Sequence, residues 1–346
     1  MGIGLLAIGA TLAGLTGSRS DSPEGAAAQV AGGCDKIVSP ATNASRSRHG
    51  RPGVVQRLVN SLRAGQTGCL RGGVYVEDLT VRRSRIGLRS YPGEHARLIG
   101  RLWFPRTAHD DLVRDLALDG RNAAELPSPT VNGNAISFVG DDVTNGNTNI
   151  CFVLGSSYGR ARATAIEGSR IHNCGRLPAN NHEHGIYVDR ADDTRIVGNI
   201  IFDNADRGIQ LYPDAQHTLI ERNVIDGNGE GVIFSGDEGV ASNHNSVRYN
   251  VISNARVRAD VESWYPDGNP LGVGNVVLEN CLFGGHGRTI VSSGRGFSAS
   301  SNVVADPLYA NAAAGDYRIG AGSACAAILK DKSPLPAVAA HARQLP

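Results

Sequence analysis

Apolar and polar positions alternate in short bursts along most of this chain, and the bursts repeat. Over Ala179–Glu238 one phrase occurs three times: His184-Gly185-Ile186-Tyr187-Val188, Arg207-Gly208-Ile209-Gln210-Leu211 and Glu230-Gly231-Val232-Ile233-Phe234. Between the copies, Ile196-Val197-Gly198-Asn199-Ile200-Ile201 returns as Ile220-Glu221-Arg222-Asn223-Val224-Ile225. The first phrase recurs every 23 residues (184, 207, 230) and the second after 24 (199, 223). Alternation with a period of two predicts strands with one buried face. A fixed repeat of this length predicts stacked units, none of which can bury its apolar face alone.

The pattern extends in both directions. Ile136-Ser137-Phe138, Ile150-Cys151-Phe152, Ile186–Val188, Ile209–Leu211 and Val232–Phe234 are expected to form one strand column, with Val261–Trp264 as a looser continuation. Asn199, Asn223, Asn250, Asn280 and Asn302 recur, all but Asn280 just before a branched apolar residue. Asn tolerates the left-handed bend of a tight turn, and stacked amides can bond along the axis, so these are read as structural. Ahead of the repeats, Val54, Val55, Leu58, Val59 and Leu62 carry helical spacing between Pro52 and Gly65. An amphipathic helix there would cover the open edge of the first coil. Asp306–Tyr309 and Gly315–Cys325 read as a closing strand and cap.

Composition narrows the class. The 346 residues include 44 Gly and only 5% aromatics, which suits many short strands and tight turns. A net charge of +1 gives no field that favours nucleic acid. Residues 1–31 are expected to be a secretory signal, since the apolar run is too short to span a bilayer. A lipoprotein with Cys34 at its mature end is the alternative. Residues 32–50 read as a linker, 51–328 as the repeat domain and 329–346 as a loose tail. Six cysteines fit an oxidising exterior and allow 15 pairings. The preferred set joins segments near in sequence or coil order: Cys34–Cys69, Cys151–Cys174 and Cys281–Cys325.

The helix ahead of Gly65-Gln-Thr-Gly-Cys69-Leu-Arg-Gly-Gly-Val-Tyr75, the I-x-x-N-x-I-x-x-N coils and the closing Asp316-Tyr-Arg-Ile319 together resemble secreted right-handed parallel β-helix proteins of the pectate-lyase-like superfamily. The resemblance covers roughly residues 50–328. It implies an all-β, single-stranded solenoid with a short N-terminal capping helix. It does not name a reaction, because this fold hosts lyases, hydrolases, epimerases and proteins without activity.

The chemistry is expected where the copies differ. With Ile186 and Val188 inward, Tyr187, Gln210 and Ile233 form one outward column, and Asp189, Tyr212 and Ser235 a second. His184, Arg207 and Glu230 stack at the strand entry. The candidate catalytic residues are His184 or His182 as base, Arg207 as base or carboxylate neutraliser, and Tyr187 as proton donor, with Tyr212 its alternative. Arg207 paired to Asp206 or Glu230 is the plainer reading. Candidate substrate-binding residues are Glu183, Asp189, Gln210, Tyr212, Asp214, Glu230, Glu262 and Trp264, the last with Tyr265 as an aromatic platform. No metal-ligand set is assigned. Two histidines around Glu183 are a weak ligand pattern, and Asp189, Asp214, Asp237 and Glu238 leave Ca²⁺ open as a cofactor. No Lys lies between residues 37 and 329, so Lys-dependent elimination is excluded. The expected partner is an extended acidic polysaccharide, bound by a monomer and cleaved by β-elimination. Hydrolysis, uronate epimerisation and binding without catalysis are the alternatives, although the Asp-Pro-His motif of alginate epimerases is missing.

Overall fold

Coil after coil, this chain lays down a short strand in each of three parallel sheets. The computed structural model describes residues 33–40, 52–291 and 295–330. The expected signal segment, residues 41–50 of the linker and residues 331–346 of the tail lie outside these residues. Among the described residues, two sheets hold eleven strands each and the third holds ten. The first sheet starts at Lys36–Val38, inside the stretch expected as linker, where the Cys34–Cys69 disulfide ties it to Thr67–Leu70.

Identical side chains stack because the coils are in register. In the first sheet Ile166, Ile196, Ile220, Val247 and Val277 pair in succession. In the third, Ile171, Ile201, Ile225, Ile252 and Leu282 do the same. All ten have no exposed surface. Each such side chain contributes roughly 1.5–3 kcal/mol by leaving water, so a coil is stable only between neighbours.

Asn199, Asn223, Asn250, Asn280 and Asn302 form the expected ladder. Each Nδ2 donates to the next Oδ1 at 3.0, 2.9, 3.0 and 2.9 Å. The left-handed residue is not the Asn but the one before it: Gly198, Arg222, Tyr249, Glu279 and Ser301 have φ of 68, 56, 57, 54 and 56°. The Asn side chain instead accepts the backbone N–H of the preceding coil's Asn, which the bend leaves inside.

Two expectations about the strand column fail. Ser137–Val139 belongs to the first sheet, not beside Ile186. Phe152, rather than Cys151's neighbour Ile150, is the partner of Ile186, a slip of two residues. Alternation cannot detect either error. Every coil carries three alternating bursts, and a shift of two keeps the same faces inward. Val261–Trp264 does continue the column, paired with the Glu230 strand.

The helix forms at Val54–Ser61 and buries Val55, Leu58 and Val59 on the first coil. It lacks a side-chain N-cap of its own; the carboxylate of Glu77 accepts the Val55 and Gln56 N–H groups, each at 2.9 Å. At the far end Tyr309–Asn311 and Asp316–Ile319 pair antiparallel, and the Cys325–Lys330 helix is pinned by Cys281–Cys325. All three expected disulfides form. Among the described residues no helix is long and apolar enough to cross a membrane.

Candidate active site

The second sheet differs from the others in strand length. The Ile186, Arg207 and Glu230 strands run 7, 10 and 8 residues, where most strands run three. Their outward side chains stand in register: Tyr187 opposite Gln210, Gln210 opposite Ile233, Ile233 opposite Glu262. A bulge after Val188 gives the Arg207 strand one extra residue, so Arg190 rather than Asp189 sets the pairing beyond it.

A groove of about 410 Å³ lies on this face. Its lining includes His182, His184, Tyr187, Arg207, Gln210, Tyr212 and Trp264, all expected, together with Asn181, Ile233, Ser235 and Arg258. Aromatic rings line it along the solenoid axis. Tyr187 and Tyr212 stack at 6.3 Å and 24°, Tyr212 meets Trp264 at 6.4 Å, and His184 meets Tyr187 edge-on at 5.7 Å. Arg207 and Arg258 supply positive charge beside them.

Arg207 is almost enclosed. Its Nη1 and Nη2 donate to the carbonyl and Oδ1 of Asn181 at 2.9 and 2.7 Å. Its Nε meets Glu230 Oε2 at 2.9 Å, off the hydrogen-bonding axis. The pairing with Glu230 is therefore present. Arg258 is the open cation, with 45% of its side chain exposed, held from behind by Glu230 at 3.3 Å and Glu262 at 2.7 Å. Burial pushes the Glu230 carboxyl up to about 7, Arg207 opposing and Glu262 reinforcing. Glu230 and Glu262 thus serve the groove as anchors for arginines.

His184 is buried, and burial with the Arg207 charge holds its imidazole well below its ordinary value. Its Nδ1 faces the Arg207 N–H at 3.5 Å, which assigns the proton to Nε2. A neutral donor in that tautomer is a poor proton acceptor, so the base role expected of His184 does not fit its surroundings. His182 stands exposed at the mouth. Burial raises the Tyr187 phenol and keeps it protonated, and among the described residues its hydroxyl has no hydrogen-bond partner. Tyr212, pushed up to about 12 by burial and then by Asp237, donates to Asp237 at 3.1 Å. Gln210 Oε1 is buried, and the Gln210 side chain lies against the His184 imidazole.

Other expected residues lie elsewhere. Glu183 turns into the loop and accepts the Arg176 N–H at 2.6 Å. Asp214 is taken by Arg160 and Gln216, each at 2.6 Å. Asp189 lies beside the groove, its carboxyl raised by burial to about 7. Tyr265 is no platform: its ring packs under Gly272 and Gly296, where any Cβ would collide with it, and only Trp264, 47% exposed, is open. The acids do not assemble a cation site. Asp214 and Glu238 are spent on arginines, and among the described residues no three His, Cys, Asp or Glu side chains cluster to hold a metal. Ca²⁺ finds no fit here.

Arg258 escaped sequence reasoning, yet a trace of it exists. Asn199 precedes Ile209 by ten residues and Asn223 precedes Val232 by nine, but Asn250 precedes Val261 by eleven. The lengthened turn carries Arg258.

Among curated proteins none matches this chain. Among solved structures, a pectate lyase, Pel9A, superposes with a TM-score of 0.55 at 16% identity, over 81% of this chain and 80% of its own. An alginate lyase from Paenibacillus sp. str. FPU-7 gives 0.49 at 13% identity, over 78% and 95%. A polygalacturonase from Erwinia carotovora ssp. carotovora gives 0.46 at 11%, over 79% and 95%. At 16% identity the likeness to the pectate lyase speaks for the fold alone. The sequence itself matches the right handed beta helix region over residues 129–304, which is 176 of 346 positions. Three stacked parallel sheets, an axial Asn ladder and that match agree: the chain belongs to the right-handed β-helix family.

Proposed function

We propose that this is a secreted enzyme that cleaves an acidic, uronate-containing polysaccharide by β-elimination in the second-sheet groove. One observation carries the reading: stacked Tyr187 and Tyr212, with Trp264 beside them, line the same groove as Arg258 and Arg207. Aromatic faces suit sugar rings, and a guanidinium fork suits a carboxylate. The likeness to a pectate lyase, together with three disulfides, supports the substrate class and the exterior location.

In this reading Arg258, backed by the Arg207 charge, holds the uronate carboxylate and so acidifies the neighbouring C5–H. His182 takes that proton. The released electron pair forms the C4–C5 double bond as the C4–O bond breaks, and the Tyr187 hydroxyl protonates the leaving oxygen. Glu230 and Glu262 sit together behind Arg258 rather than across the groove, an arrangement unsuited to hydrolysis, which needs two carboxyls flanking the bond. In this reading the enzyme acts as a monomer.

A panel of uronate polymers tests this. Elimination gives products that absorb in the near ultraviolet and weigh one water less than hydrolysis products. Hydrolytic masses, or epimerised but uncut polymer, overturn it. Arg207 and His184 are already satisfied by protein partners, which favours binding without cleavage as a second reading. Tight binding with unaltered polymer decides for that.

A further inference from the structure

A second cluster lies on the same face as the groove, toward the N-terminal end. The outward column that holds Tyr187 continues in register through Val153 and Thr130 to Trp103. Three steps of the ordinary strand spacing put Trp103 about 14 Å from Tyr187. Thr130 and Val153, both short, lie between the two large rings.

Trp103 stands half-buried between buried Leu102 and Phe104, its Nε1 donating to Asn132 at 2.9 Å. The guanidinium carbons of Arg101 and Arg82 sit 5.0 and 5.9 Å from its ring centre. Tyr158, 77% exposed, lies near enough to act on the Arg101 charge, and Arg106 abuts the same loop at Gly159. Among the described residues none of Arg82, Arg101 and Arg106 meets a carboxylate at ion-pair distance. The buried Nε of Arg101 has no partner at all. One sheet away the pattern is the opposite: Arg89, Arg97, Arg114 and Arg121 all reach Asp115 or Asp119. Arg101 feels Asp78, whose Oδ1 accepts its backbone N–H at 2.7 Å. Among the described residues Arg82 and Arg106 have no carboxylate partner, and with half-buried Trp103 and exposed Tyr158 they form a surface for an anion that also carries a face to stack.

We propose that this cluster is a distal binding site for the same acidic polysaccharide, gripping uronate residues of a chain whose cleavable bond lies at Tyr187. The occupant follows from charge complementarity and from continuity with the groove along one column. The inference rests on the groove reading and makes a separate claim: affinity should depend on chain length.

The test uses the whole protein, with polygalacturonate, alginate and their trisaccharides as probes, measured by calorimetry. Arg82→Ala/Arg106→Ala and, separately, Tyr158→Ala change exposed side chains. Polymer affinity is expected to fall about tenfold or more, since each lost charge-assisted contact is worth about a decade. Trisaccharide binding and the unfolding midpoint should hold. Unchanged polymer affinity overturns the distal site, as does an equal loss for trisaccharides. Duplex DNA competing as well as the uronate polymer assigns the cluster to another polyanion and also overturns it. If the distal variants lose polymer affinity while trisaccharides neither bind nor react, the groove reading fails and the distal site stands. If trisaccharides are cleaved and length has no effect, the reverse holds. A parent protein that binds none of the probes overturns both.

Discussion

At the scale of single residues, the site is made by exceptions to a repeat. Some, such as Tyr187 and Gln210, occupy equivalent positions in successive coils and differ only in side chain, and others enter from turns that break the repeat. Arg258 is the sharpest case. Arg258→Ala leaves the buried Glu262 carboxylate without its 2.7 Å partner, so the thermal midpoint should fall as well. Activity on uronate polymer, read as kcat/KM, should fall about 100-fold or more, the usual loss for a donor aimed at developing charge. Tyr187→Phe separates chemistry from binding. The ring stack with Tyr212 survives, so KM should hold while kcat drops, by roughly 100-fold for the loss of one general acid.

At the scale of elements, the turns hold the molecule together. Asn223 donates to Asn250 Oδ1 and to Ile196 O, and accepts from Asn199. Asn223→Ala leaves those groups buried without partners and should destabilise by about 3 kcal/mol or more, measurable by denaturant unfolding. The same column has an acid at an earlier coil. The Leu116 N–H donates to Asp141 Oδ1 at 2.9 Å, while Oδ2 has no hydrogen-bond partner. Burial pushes Asp141 well up, Asp111 to about 7 and Asp260 to about 8. Folded, these groups bind protons more tightly than unfolded. Their stabilising share is full below the unfolded value near 4 and is lost as pH rises through 7 to 8. The unfolding midpoint should therefore be higher at pH 5 than at pH 8.5. Asp141→Asn should raise it at pH 8.5 and narrow the difference.

The ladder was legible in the sequence because Asn199, Asn223, Asn250, Asn280 and Asn302 recur at intervals of 22 to 30 residues, four of the five just before a branched apolar residue. The groove was legible at Tyr187, Gln210 and Tyr212, where period-two alternation sets the outward face. It was not legible where side-chain direction depends on turns: Glu183, Asp214 and Tyr265 face away, and Arg258 faces in from a loop. Nor could alternation tell which of three sheets Ser137–Val139 would join.

At the scale of the whole molecule, the solenoid formed by the described residues has an end coil at each side, and a disulfide ties each of them. Cys34–Cys69 ties the first strand, and Cys281–Cys325, spanning 44 residues, ties the last helix. Cys281→Ser/Cys325→Ser should destabilise the C-terminal coils by about 2–5 kcal/mol. The freed edge should also promote self-association, visible by light scattering, because an open parallel edge is a template for another chain.

The in-register column from Trp103 to Glu262 has one more consequence. Each coil touches only its neighbours, so a coil added between the Val153 and Tyr187 strands would leave the Trp103 cluster, Tyr158 included, on one side and the groove on the other. It would move them apart by one strand spacing, about 4.8 Å. The distance between grip and cut is thus an editable length, and the shortest chain that spans both would lengthen with every coil added.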